Sequence, residues 1–434
     1  MEETTPRDLS TIQKWLSSRT IQRTPSSAIE RAPSAEGSGV VSHDMYRAAQ
    51  GHADALTKGE TWATLDMYRC RRLGEDGSES DDSNSDQVSS FRTALSCVSS
   101  ADPDTTIQAL DLIEDTPTND EWEMLGEKFR GVRWLAVDSG FNEDWTDDTF
   151  PRHWPLEAVV IASACGHLIT TPAILDGGIP HLVLLLTCGL RFEGPTNNEL
   201  SEMDELEDPP VEAQEGELKI IYLPGRVSRW MYNKYAGGCE FPNYEGHRSK
   251  PPSRMRTLEI LENDAIDTFQ RFALACGHVV DNLDRLNIRS TSGLDCRMCP
   301  EDMFTVMLAS LKNLKHLELS VSSKTFHDPA ILPNLYNCFS PNLESLKFRG
   351  PLSLARTDTF GEWVKAFGRA DYLPKLKRLS FVLDEPSGEA EKPADAKSLH
   401  SARLKVEALL KAAQGRNVAA EDFHDPWMVL GYFK

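Results

Sequence analysis

Residues 311–320 read LKNLKHLELS and place Leu314, Leu317 and Leu319 at intervals of three and two. The same phrase recurs along the chain. It is Ile107, Leu110 and Leu112 in TIQALDL, Val132, Leu135 and Val137 in GVRWLAVD, and Leu156, Val159 and Ile161 in WPLEAVVIA. IPHLVLLLT offers Leu182 and Leu185, with Thr187 as a weak third member. Further on come Met255, Leu258 and Ile260, then Leu283, Leu286 and Ile288. Beyond the opening stretch stand Leu343, Leu346 and Phe348, and last Leu376, Leu379 and Phe381. The first positions are spaced by 25, 24, 26, 73, 28, 31, 29 and 33 residues.

Between the phrases lie segments with helical apolar spacing, such as DAIDTFQRFALAC, PEDMFTVMLASLKN and DTFGEWVKAFGRA. A short strand followed by a helix cannot bury its apolar face alone, whereas stacked copies bury a continuous core. The expected fold class is therefore α/β: an irregular leucine-rich-repeat solenoid, a horseshoe with parallel strands on the concave face and helices on the convex face. The Asn or Cys that commonly follows the strand in such repeats is mostly absent, which makes the units irregular.

Outward from the repeats, composition divides the chain. Residues 1–41 are expected to be mostly disordered, with one short helix in LSTIQKWLSSR before a Ser/Pro/Gly-rich stretch. Residues 42–73 have apolar anchors at helical spacing and read as a helical segment, and 74–90 form an acidic, Ser-rich linker. The solenoid is expected to span 91–385. The single long interval holds an insertion, 193–252, whose first part is acidic and whose second part is basic and aromatic. Residues 395–434 read as a C-terminal capping helix and tail.

The chain has 434 residues and a formal net charge of −21. That charge argues against a nucleic acid partner, since phosphate binding is dominated by Lys and Arg, and against adsorption to anionic lipid. HLVLLLTCGL at 181–190 is the longest strongly apolar stretch and falls well short of a bilayer span, so no membrane segment is expected. MEETTPRDLSTIQKWL has no apolar leader core. With nine scattered cysteines, these features point to an intracellular protein, cytoplasmic or nuclear, with reduced thiols.

Signals for chemistry are sparse. Cys296 and Cys299 in CRMC have metal-like spacing, and Cys276 with His278 offers a second pair. The repeat pattern puts the two pairs on opposite edges of the sheet, so no metal site is expected. The sequence has no Gly-rich phosphate loop, His-Glu-x-x-His or Gly-x-Ser-x-Gly. Catalysis and cofactors are therefore not expected; the competing enzyme reading uses the insertion as a lid.

Residues flanking the second Leu of each phrase point away from the core, because side chains alternate along a strand. In the first half they are apolar and include Trp134, Val160, Leu184 and Leu186. In the second half they are polar and basic: Arg285, His316, Lys347 and Arg378, with Arg289 and Arg349 one step further along. The basic residues are candidates for binding an acidic protein partner to a monomer. The apolar patch is expected to be covered by the insertion.

Several phrases are introduced by Pro, as in IPHL, SPNL and LPKL. Over about 91–385 the pattern resembles the divergent leucine-rich repeats of fungal F-box-type proteins. The resemblance implies a substrate-selecting repeat scaffold, which in that family works beside an N-terminal F-box that binds the Skp adaptor of a ubiquitin ligase. Nothing upstream of the repeats matches the F-box opening. The expected function is a non-enzymatic protein–protein interaction scaffold; the alternative is a ubiquitin-ligase substrate receptor with a degenerate F-box in 42–72.

Overall fold

The computed structural model describes residues 40–42, 62–71, 107–113, 115–138, 150–162, 165–167, 177–185, 188–191, 219–222, 229–233, 238–240, 253–262, 265–275, 277–290, 301–321, 331–384 and 396–423, together with 91–93, 95 and 174. Expectations for the N-terminal 1–39, the linker 74–90, Leu186, Cys276, Cys296, Cys299 and the tail beyond 423 lie outside the described residues. Two compact units divide the chain: Met1–Cys165 with His424–Lys434, and Gly166–Phe423. Each is α/β.

In the first unit, Trp62–Asp66, Ala109–Ile113, Trp134–Asp138 and Ala158–Ala162 form a parallel sheet in that order. Val40–Ser42 pairs antiparallel with the Trp62 strand. Parallel pairing follows from the length of each connection, which leaves room to cross over and return in the same direction. Residues 42–73 were expected to be helical. Instead, among the described residues, Trp62–Asp66 is a strand and Met67–Arg71 a helix, so the sheet begins upstream of residue 91. The reason is tertiary: Leu65 pairs with Leu112 in the parallel ladder and is fully buried, which overrides a helix-like spacing of apolar residues.

Asn119–Lys128 is the helix that follows the Ala109 strand. Thr118 and Glu121 form a capping box, with the Thr118 N–H donating to Glu121 Oε2 at 2.8 Å. The same buried carboxylate receives Arg71 Nε and Nη2, each at 2.7 Å, while Arg71 Nη1 bonds Asp115. One arginine thus ties the Met67 helix to the first turn of the next.

In the second unit, the strands His181–Leu185, Thr257–Glu262, Arg285–Ser290, His316–Ser320, Ser345–Pro351 and Arg378–Asp384 pair in parallel, each with the next. Ala419–Ala420 adds to the Arg378 strand and follows the long helix Ala396–Gln414. Leu286, Leu317, Leu346 and Leu379 occupy one register line, and Ile288, Leu319, Phe348 and Phe381 the next. All eight are buried. Helices pack on this face: Trp363 of Phe360–Gly368 has its ring 5.5 Å from Phe348 and 5.7 Å from Phe381. Phe269 of Ala265–Ala275 meets Phe304 of Glu301–Ser310 at 6.0 Å.

The His181 strand corrects the reading of its own phrase. Leu182 pairs with Leu258 and Leu184 with Ile260, so the phrase is Ile179, Leu182 and Leu184. Leu184 faces the helices rather than the open side, where His181, Val183 and Leu185 stand instead. An unbroken apolar run gives no alternation from which to choose a register.

Of the insertion, Lys219–Tyr222, Arg229–Asn233 and Gly238–Glu240 form a three-stranded antiparallel meander. Gly238–Glu240 lies against Glu301–Ser310, and Cys188–Arg191, just before the insertion, lies against Ala265–Ala275. Both contacts are with helices. Consistent with a covered helical layer, Asp267, Thr268 and Gln270 of Ala265–Ala275 are buried as well as its core residues Ile266, Phe269 and Phe272.

Candidate functional site

The open face of Gly166–Phe423 is built from alternate residues of the parallel strands, aligned in rows by the register. The first row runs His181, Thr257, Arg285, His316, Ser345 and Arg378. The second runs Val183, Glu259, Asn287, Glu318, Lys347 and Ser380, and the third contains Arg289, Ser320 and Arg349. Arg285, Arg289, His316, Lys347, Arg349 and Arg378 are therefore brought to one face, which carries five formal cations against the carboxylates of Glu259 and Glu318 in the same rows and of Glu421 beside Arg378.

These cations are not equivalent. Lys347 Nζ lies 3.2 Å from Glu318. Burial raises the Glu318 carboxyl above its ordinary value, with Lys347 and Arg289 opposing the rise. The Arg349 guanidinium lies over the Phe423 ring at 5.8 Å. Arg289 is buried. Arg378, half-exposed, has Glu421 only at 4.0 Å. Arg285 is held below its usual value by burial first, with Glu259 opposing and Arg378 adding to the depression. Among the described residues, no side chain hydrogen-bonds or ion-pairs with its guanidinium.

Next to these lies a polar bar that the sequence reading missed as a unit. His181 Nε2 donates to Glu259 Oε1 at 2.8 Å, and Asn287 Nδ2 donates to Glu259 Oε2 at 3.0 Å. All three side chains are buried, so the bar braces three strands and offers no group to a ligand. Recognising it needed the corrected register of His181.

The apolar candidates fare differently. In the first unit, Trp134 and Val160 do share a face with Ala136 and Ala158, as expected. Trp134 is 4% exposed, however, and Val160 and Ala136 are fully buried. The apolar positions of this face are thus closed to solvent. Leu184, as described, points to the helices.

A cleft of about 710 Å³ lies elsewhere in the first unit, beside Trp122, Glu123, Glu127, Arg130 and His153. Gly126 permits the close approach that shapes it, because a Cβ there would come within 2.9 Å of Pro151. His153 Nε2 is already engaged with Gly126 O at 2.9 Å. Among the described residues there is no cluster of three His, Cys, Asp or Glu side chains able to hold a metal ion, and no helix long and apolar enough to cross a membrane. No protein-family model matches the chain, and no curated protein is significantly similar to it.

Proposed function

We propose that the chain is a leucine-rich-repeat solenoid acting as a non-enzymatic protein-interaction scaffold, with the basic open face of Gly166–Phe423 as the surface for an acidic partner. One observation carries this reading: the face presents five cations to three carboxylates, Glu421 beside Arg378 included, in a protein of net charge −21, and among the described residues Arg285 has no side-chain hydrogen-bond or ion-pair partner. A basic face on an otherwise acidic molecule steers an acidic partner to itself.

The repeat interpretation draws support from a recurring backbone bond. Asp284 N donates to Arg256 O, Lys315 N to Asp284 O, Glu344 N to Lys315 O, Lys377 N to Glu344 O, and Ala419 N to Lys377 O. The same bond at every strand entry is what a stack of equivalent units produces.

The test is charge reversal. Arg285, Lys347 and Arg378 are changed together to Glu, and proteins cross-linked to wild type and variant in the native cell are compared. A partner specific to the wild type, whose affinity in purified form falls as salt is added, supports the reading. Retention of every partner by a folded triple variant overturns it.

A further inference from the structure

Beyond His181, which is paired with Glu259, the first row of the open face combines two guanidiniums and an imidazole, and the row itself contains no carboxylate. Arg285 and Arg378 stand three strands apart, about 14 Å at the backbone, with His316 and Ser345 between them. The charge of Arg378 acts on Arg285, and both act on His316. His316 Nδ1 is buried and makes no hydrogen bond. The nearest carboxylate to Arg378 is 4.0 Å away, beyond hydrogen-bond range. Two like charges and an unsatisfied ring nitrogen, each from a different strand, form an arrangement completed by an oxyanion.

We propose that the Arg285–His316–Arg378 row binds a carboxylate from an acidic side chain of a protein partner, and that His316 takes up a proton as it does. This rests on the reading that the open face receives an acidic partner, and it names where on the face the anion sits. Lys347 is already paired with Glu318, and Arg349 is stacked on Phe423, so neither competes equally for the ligand. Among the described residues, the row's guanidiniums have only Glu421, at 4.0 Å from Arg378, as a competing anion.

Proton uptake follows from the groups around the imidazole. Burial first, then Arg285 and Arg378, hold His316 down at about 4 in the free protein; Glu344 opposes and Lys315 adds slightly. Glu318 and Lys347 stand in the adjoining row. A carboxylate bound between the two guanidiniums offsets their repulsion and so favours the imidazolium. By linkage, acid strengthens binding to the same extent that binding raises the pKa of His316. The peptide's own Glu carboxyls, with pKa near 4.3, stay largely ionised down to about pH 5.5.

The experiment titrates the full-length protein calorimetrically with an octaglutamate peptide, from pH 7.5 to pH 5.5, in buffers of different ionisation enthalpy. Wild type is expected to bind about fivefold tighter at the lower pH and to withdraw protons from the buffer. Arg285→Gln and Arg378→Gln should each weaken binding about tenfold, without lowering the thermal midpoint of the free protein. Arg349→Gln removes the same charge from the same face and should weaken binding several-fold less than Arg285→Gln. His316→Asn should bind at pH 7.5 but lose the proton uptake; because Glu318 also titrates nearby, this variant is what assigns the proton. If Arg349→Gln loses as much affinity as Arg285→Gln, the row is not the site, although the face reading stands. Unchanged proton uptake in His316→Asn overturns the coupling. Peptide binding indifferent to salt and to every substitution, or no binding at millimolar peptide, overturns the face reading along with the row.

Discussion

The face carrying Trp134 and Val160 in the first unit and the face carrying Arg285 and Lys347 in the second come from the same strand pattern. They have opposite fates. Ala109, Ala136, Ala158 and Val160 are buried, with Trp134 almost so, whereas Arg285, His316, Lys347 and Arg349 are half-buried and Arg378 is exposed. Small and apolar side chains at the alternate positions, with the buried Asp111 as an exception, let something pack over the first sheet surface. Long cationic side chains keep the second in contact with water, since burying an unpaired charge is far costlier than burying a methyl group. A repeat phrase therefore specifies where the core lies, while the alternate positions decide whether the other face is core or surface.

The sharpest way to break that comparison is to place a charge at matching rows. Val160→Asp buries an unpaired carboxylate and should destabilise the fold by several kcal/mol, about 3 or more. Lys347→Glu, on the partly solvated face, should shift the unfolding midpoint much less. Denaturant unfolding of both variants checks this; equal losses would show that the two faces are equally closed.

Arg71 offers the next largest effect. Glu121 is 2% exposed and depends on Arg71 and on the Thr118 N–H for its hydrogen bonds. Arg71→Ala leaves that carboxylate buried and unpaired, so a loss of roughly 3–5 kcal/mol is expected. Surface pairs of the second unit, such as Lys377 with Glu344 at 2.6 Å, should lose less than about 1 kcal/mol on the same treatment. A similar loss at both sites would remove any special role for the buried pair.

The smallest expected effect depends on pH. Burial raises the Asp281 carboxyl to about 6, with Lys312 opposing. An acid whose folded pKa exceeds its unfolded value makes folding less favourable once it ionises, so stability falls as pH rises from about 4 through about 6. Asp281→Asn should therefore melt higher than wild type above pH 6 and close to it near pH 4. A difference that stays constant across this range would show that ionisation is not the cause.

Much of the second unit was legible because its phrases alternate cleanly. In HLELS and SLKFR the polar residues between apolar ones leave a single choice of face, and Leu317, Leu346 and Leu379 pair as the phrases predict. HLVLL has no polar residue beyond its first, and its register was misread. A further signal was present but passed over. Asn313 and Asn342, each just before the first Leu of its phrase, donate to the carbonyls of Asp281 at 2.7 Å and Lys312 at 2.6 Å. The strand entries also alternate in charge, with Lys315 3.2 Å from Asp284 and Lys377 2.6 Å from Glu344. Both patterns tie successive phrases together at fixed spacing and strengthen the register beyond the leucines. Of the site, the six candidate residues could be assigned to one face by counting alternate residues, but their unequal pairing could not.

By itself the sequence determined that short strands alternate with helices, that the strands run parallel, and that one face of the second unit is basic. These follow from local periodicity and from connections long enough to return each strand in the same direction. Only the tertiary structure decided that residues 62–66 join the sheet, that Leu184 faces the helices, that Val160 and Ala136 are sealed from solvent, and that among the described residues Arg285 has no side-chain partner where Lys347 has one. Each of those depends on which distant residue arrives alongside, and burial and pairing are properties of that meeting rather than of either residue alone.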